Sequence, residues 1–172
     1  MRIETDRLIL RRWHGDDAEA LHAILNHPEV ASWLGPQAPA DIEGILERYE
    51  NSWDTLGYGR FAVVDATTGQ LVGRVGLMWQ EAWTATPDKV EVGWAIAPAR
   101  WGEGLATEAA RAAIADGFTR AGLSRVVSFT LPSNVASLKV MEHCGLTFGG
   151  HAEWAGFDHV WTSLDAAHDA GL

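Results

Sequence analysis

Polar and apolar positions alternate along residues 5–13, TDRLILRRW: Leu8 and Leu10 share one face, and Ile9 and the arginines take the other. A period of two predicts a strand. The pattern then changes. DDAEALHAIL, 16–25, places acidic residues in its first turn, where a helix dipole favours them, and predicts a helix. A loop is expected around His27–Pro39. PADIEGILERYENSW, 39–53, spaces Ile42, Ile45, Leu46 and Tyr49 by threes and fours and predicts a second helix. Three extended runs follow, at 60–66, 71–79 and 89–97. The first two are joined by TTGQ, a hairpin signal with glycine at the turn, and Pro98 closes the third. A helix over 105–120, a strand at 125–131, a helix at 135–144 and strands at 146–154 and 157–164 complete the chain.

The order β-α-α-β-β-β-α-β-α-β-β carries a fold prediction. The middle strands read as an antiparallel meander. Strand 89–97, its helix and strand 125–131 form a crossover unit, which pairs parallel. The expected fold class is therefore α+β, a three-layer α/β/α arrangement with a mixed, mostly antiparallel central sheet. With no repeat, low-complexity tract or linker to divide it, residues 1–172 are expected to form a single domain.

Composition narrows the function. Hydrophobic residues make up 47% of the chain, which predicts a packed core and not disorder. A formal net charge of −10 argues against a nucleic-acid partner, which would call for a basic face, and fits attraction of cationic partners. The lone Cys144 can form no internal disulfide, consistent with a reducing compartment. The start, MRIETDRLILRRW, is charged throughout and lacks the apolar segment of a signal peptide. No apolar run reaches the ~18 residues a membrane span needs. A cytoplasmic protein is the expectation, and a homodimer is compatible with the sequence. The seven histidines show no ligand spacing, so no metal site is expected. Cys144, after a helix of apolar spacing, is expected to be buried.

One stretch asks for an explanation: ARWGEGLATEAARAAI, 99–114, puts two glycines directly before a helix. They make a turn, or they bring main-chain N–H groups close to an anion. The Walker A pattern is absent. The dinucleotide fingerprint fails twice: Thr107 stands at its third glycine, and strand 125–131 ends in Thr130-Leu131 without the acid that meets a ribose. Trp101-Gly102-Glu103-Gly104-Leu105-Ala106 does fit a third template, a short Gly-x-Gly/Ala loop between a strand end and a helix. Such a helix start presents unpaired amides and a positive dipole end, enough for a diphosphate without a lysine.

In these segments the chain resembles the GNAT-fold N-acetyltransferases, in particular the branch of the ribosomal-protein N-terminal acetyltransferases RimJ and RimL. TDRLILRRW with DDAEAL resembles that branch's opening. VEVGWAIAPARWGEGLATEA resembles its acetyl-CoA motif, SNVASLKVMEHCGLTFGG its second motif, and HVWTSL its closing strand. The resemblance implies a sheet with splayed middle strands, here 89–97 and 125–131. It also implies acetyl-CoA as cofactor and transfer of an acetyl group to a primary amine. The acceptor it favours is a protein or peptide N-terminus, with amino acids, aminoglycosides and polyamines as alternatives. A non-catalytic acyl-CoA-binding module on the same fold is a second class of reading. The wider superfamily often has Gln or Arg where Trp101 stands, which leaves the backbone amides as the main ligands of the loop.

Candidate residues follow. Strand alternation puts Glu91, Gly93, Ala95 and Ala97 on one face and Val92, Trp94 and Ile96 on the other. A carboxylate among small residues has room for substrate and water beside it, so Glu91 is the candidate base. The alternative is a solvated or salt-bridged strand residue, with Glu81, Asp88 and Glu153 as substitutes. The resemblance implies that Glu91 acts through water, and that the backbone around Ile96 and Ala97 contacts the pantetheine arm. It assigns cofactor binding to Trp101, Gly102, Glu103, Gly104, Leu105, Ala106 and Thr107. In PSNVAS, Asn134 and Ser137 lie three apart at a helix start. The resemblance places Asn134 on the cofactor and Ser137 near its sulfur, as acid or positioning group. Trp33, Trp53, Trp79 and Trp83 fall in or near the loops that would form the acceptor pocket.

Overall fold

The computed structural model describes residues 1–34 and 41–167. All eight strands join one sheet in the order β1-β2-β3-β4-β5-β6-β8-β7. They are β1 (Arg2–Glu4), β2 (Leu8–Arg11), β3 (Arg60–Asp65), β4 (Leu71–Trp79), β5 (Val90–Ile96), β6 (Arg125–Thr130), β7 (Thr147–Trp154) and β8 (Phe157–Asp165). Every neighbouring pair is antiparallel except β5 with β6. Helices α1 (Asp17–Leu25), α2 (Pro28–Leu34) and α3 (Ile42–Leu56) precede β3; α4 (Leu105–Thr119) joins β5 to β6, and α5 (Val135–His143) follows β6. This is the expected mixed, mostly antiparallel architecture with helices on both faces.

Two apolar layers flank the sheet. Leu8 and Leu10 are fully buried with Val75, Val92, Val126 and the alanine face of α4, Ala109, Ala110 and Ala113. Burial of each such leucine stabilises the fold by about 1.5–3 kcal/mol, less what chain ordering costs. On the opposite face, Leu21 and Leu25 of α1, Val30 of α2 and Ile42, Ile45 and Tyr49 of α3 pack against Ala62 and Ala95.

The structure corrects the predicted elements at the N-terminal end. The strand expected over 5–13 is shorter, because Thr5 turns the chain: its N–H donates to the Leu8 carbonyl, its hydroxyl accepts from the Leu8 N–H, and β1 pairs back on β2. Part of the expected loop 27–39 is helix α2. Pro28 occupies its first position, where the fixed φ suits a helix and the missing N–H has no partner to lose. The rest of that loop, 35–39, lies outside the described residues, as do the first two residues of the helix expected from 39. That helix is capped by Asp41, whose Oδ1 accepts from the Gly44 N–H at 2.9 Å, and it runs on to Leu56. Elsewhere the boundaries fall within a residue of expectation.

Candidate active site

The parallel pair β5–β6 is joined over a short distance only. Its register is a single pair, Glu91 opposite Val127. One residue further, the Val92 carbonyl accepts the Ser128 hydroxyl at 2.9 Å instead of a β6 amide, and the strands part. The Ala97 N–H donates to the Val72 carbonyl of β4. By the alternation of a ladder, the main-chain groups of Ala95 and Ala97 face β4, and those of Trp94 and Ile96 face the opening. The Ile96 carbonyl is taken by the Trp101 indole at 2.7 Å. Of the expected pair Ile96 and Ala97, then, Ile96 faces the gap and Ala97 has its N–H committed to β4. Trp94, which the sequence reading passed over, supplies main-chain groups at the opening.

The glycine loop lies at the same end of the sheet. A short turn, Pro98–Arg100, follows β5. Gly102 and Gly104 then take φ of +81° and +79°, a region that favours glycine. Among the described residues, the amides of Gly102, Glu103 and Gly104 donate to no protein acceptor. Those of Leu105, Ala106 and Thr107 open α4, where a helix leaves its first N–H groups unpaired. A Cβ built on Gly102 would meet nothing within 4 Å. Arginines shape the loop from behind. Arg100 grips Glu103 through Nε at 2.8 Å and Nη2 at 2.9 Å, and it reaches Asp65 at 2.9 Å. Arg7 donates to the Glu103 carbonyl at 2.8 Å and holds Glu108 at 2.7 Å. The Glu103 side chain is thereby tied to Arg100. The loop suits a diphosphate: among the described residues it offers unbonded amides, a helix N-terminus and no carboxylate left unpaired.

Asn134 and Ser137 stand where β6 ends. Asn134 is buried and caps α5, its Oδ1 accepting from the Ser137 N–H at 3.1 Å. Ser137 is half-buried, and its hydroxyl has no partner among the described residues. Cys144, at the far end of α5, contacts the Thr107 carbonyl, and burial pushes its thiol up to about 11.

Glu91 lies on the other face of the sheet, toward α1 and α3. It is neither solvated nor alone: the Arg60 guanidinium donates to its Oε2 at 2.7 Å and Gln80 Nε2 does so at 2.6 Å. Arg60 also donates to the carbonyls of Gly76 and Gly93. Two indoles, of Trp13 and Trp53, fix the Arg60 carbonyl at 2.8 and 3.1 Å. The side chains of Arg60 and Glu91 are only 5% and 12% exposed, so the ion pair is effectively internal. Burial pulls the Arg60 guanidinium below its ordinary value, against the opposing pull of Glu91. A Cβ on Gly93 would lie 2.6 Å from Glu91 Oε1, so the missing side chain there is the space the pair occupies.

The acetyltransferase (GNAT) domain family matches residues 7–147. The chain belongs to that family. It is 29% identical over 146 residues to the uncharacterized N-acetyltransferase YoaA of Bacillus subtilis, covering 83% of this chain and 81% of the relative. The fold matches the ribosomal-protein-S5-alanine acetyltransferase of Vibrio fischeri with a TM-score of 0.79 at 23% identity, over 98% of both chains. It also matches AAC(6')-Ib, solved with paromomycin and acetyl-CoA, with a TM-score of 0.76 at 18% identity, over 93% of this chain and 94% of that one.

In this acetyltransferase the sequence reading missed Arg60, Gln80 and Arg74 as well as Trp94. Nothing in the local pattern of β3 marks Arg60 as buried. The only signal was indirect: glycines at 76 and 93, directly across the next two strands. The four tryptophans separate. Trp53 and Trp83 are core, Trp83 stacked on Phe129 with ring centroids 4.4 Å apart, while Trp33 and Trp79 are exposed. Of the substitute acids, Glu81 is engaged by the Trp79 indole and Lys89, and Asp88 by Arg125.

Proposed function

We propose that the protein transfers the acetyl group of acetyl-CoA to a primary amine, the N-terminus of a protein or peptide, in the manner of the ribosomal-protein N-terminal acetyltransferases. One combination carries this reading: unbonded amides in the loop after β5, the parting of β5 from β6, and the carboxylate of Glu91 on β5 itself. Acetyl-CoA supplies an activated thioester when bound. The loop Trp101–Thr107 receives its diphosphate through main-chain amides. The main-chain groups of Trp94 and Ile96 pair with the pantetheine arm as an added strand, Ala97 closes the end of that strand, and Asn134 contacts the arm from α5. A β5 N–H polarises the carbonyl. Glu91 accepts the amine proton through water; the N–C bond forms as the C–S bond breaks, and Ser137 stands by the sulfur to return a proton.

Two measurements test this reading. Saturating acetyl-CoA should raise the melting temperature by binding only the native state, and no shift would remove the cofactor assignment. A panel of peptides, amino acids, a polyamine and an aminoglycoside, read by thiol release, should give turnover with peptide N-termini. Glu91→Gln should lower that turnover by about 10²–10⁴-fold with acetyl-CoA affinity nearly intact. Unchanged turnover places the base elsewhere, and turnover with small amines alone moves the acceptor to that class.

A further inference from the structure

The face that carries Glu91 holds a guanidinium without a carboxylate partner among the described residues. Arg74 of β4 lies opposite Ala62 on β3 and Ala95 on β5, and its side chain turns to the same face as Arg60. Its guanidinium carbon is 6.0 Å from the centroid of the Tyr49 ring. Its Nε is buried and has no hydrogen-bond partner among the described residues. Arg11, Arg12, Arg60, Arg100 and Arg125, the other arginines at least partly withdrawn from solvent, each hold a carboxylate. Among the described residues Arg74 holds none. Glu91 is already engaged by Arg60 and Gln80. Arg11, opposite Ala62 on this same face, is matched by Asp17, and Arg60 is matched by Glu91, so Arg74 is the surplus positive charge here, within a chain of net charge −10. A buried N–H left without an acceptor is costly, and a guanidinium fork matches a carboxylate better than any other common anion except phosphate.

Resting on the acetyl-transfer reading, we propose that the acceptor amine carries a carboxylate, which Arg74 binds beside Tyr49 while the amine reaches Glu91. Along β5 the rungs of Arg74 and Glu91 are four residues apart, about 13 Å of strand, a span narrowed by the long side chains that enter it. Two sources share this chemistry: the acidic side chain of a residue near a peptide N-terminus, and the α-carboxylate of a free amino acid.

The test uses matched acid and amide pairs. One arm compares peptides with Asp or Asn at the second position; the other compares free amino acids with their amides. Each pair is read by thiol release, and its N-acetylated products are titrated calorimetrically in the presence of coenzyme A. The wild type should favour the acid member of at least one arm by roughly 10- to 100-fold in kcat/KM and in product affinity. The arm that shows the preference identifies the source. Arg74→Gln should bring the ratio toward one through KM, without changing KM for acetyl-CoA; Arg74→Lys, which keeps the charge and loses the fork, should retain part of it. Melting curves establish that both variants are folded. Equal binding of acid and amide by the wild type, or a preference that survives Arg74→Gln, overturns the proposal. Acid-selective binding without any thiol release sinks the transfer reading and leaves the carboxylate subsite standing.

Discussion

On the α4–α5 face of the sheet, the groups that would meet a ligand are main-chain amides, from Gly102 to Thr107 and from the free edge of β5. On the α1–α3 face they are side chains, Arg60, Arg74, Gln80 and Glu91, gathered from three strands and the turn after β4. The first half depends on backbone conformation and tolerates side-chain change wherever φ is ordinary. The second depends on each partner being present, because its charges are largely out of water and lean on one another. The two halves should therefore fail differently when mutated.

The largest effect is expected at Arg60. Arg60→Met leaves Glu91 as an uncompensated, nearly buried charge and frees the carbonyls of Gly76 and Gly93. Breaking one partner of an internal pair costs about 3–5 kcal/mol, so chemical denaturation should show a loss of that order. Turnover should fall together with stability. A loss below about 1 kcal/mol would mean that solvent reaches the pair and that the two faces are not so unlike.

A smaller effect sharpens the contrast from the other side. Gly104→Val forces a β-branched residue to a φ of +79°, at a cost of about 1–2 kcal/mol. It also bends the amide cradle, so KM for acetyl-CoA should rise about tenfold or more while KM for the amine stays. Glu103→Gln is the paired control. It replaces the carboxylate that Arg100 grips with a neutral amide and leaves every main-chain N–H in place, so acetyl-CoA binding should barely change. If Glu103→Gln weakens the coenzyme as much as Gly104→Val does, side chains and not the backbone hold the diphosphate.

The same division explains what could be read from the chain. The cradle was legible because local sequence makes it: glycines before an apolar-periodic helix leave few alternatives. The middle meander and the parallel pair are legible because hydrophobic period and crossover handedness are local or topological rules, whereas nothing local places β8 between β6 and β7. Glu91 was visible as a carboxylate among small residues, but its partner was not, because Arg60 lies 31 positions away and meets it only across two strand pairings. Arg74 was hidden for the same reason, and the net charge pointed the other way: −10 suggested a welcome for cations, whereas the face beside Glu91 holds surplus positive charge. Helix α2 was missed because its one strong signal, Pro28, reads equally as a loop residue. Thr5 shortened the first strand through hydrogen bonds that alternation does not register.

Asp65 joins the two halves and gives the smallest expected effect. It ends β3, accepts the N–H groups of Thr67 and Thr68 at 2.9 and 2.8 Å, and holds Arg100, which in turn holds Glu103 in the cradle. The amide of Thr68, then the Arg100 guanidinium, bring its carboxyl down to about 2. An unfolded aspartate titrates near about 3.9. With the folded value the lower of the two, the unfolded chain binds more protons between them, and stability must rise with pH across that window. The contribution is complete above about pH 4 and is lost as pH falls through 2. Denaturant midpoints measured from pH 2 to 7 should therefore converge for the wild type and Asp65→Asn at the acid end and separate by a constant amount above pH 4. Because the Arg100 pair lies near the surface, that separation should be modest and should shrink in high salt. Acetyl-CoA affinity should stay level across the neutral range in both proteins, since the amides of the cradle carry no titrating group. Parallel pH curves would show that neither the turn amides nor Arg100 favours the ionised carboxyl of Asp65 in the folded chain, and that the link from β3 to the cradle contributes nothing to the fold.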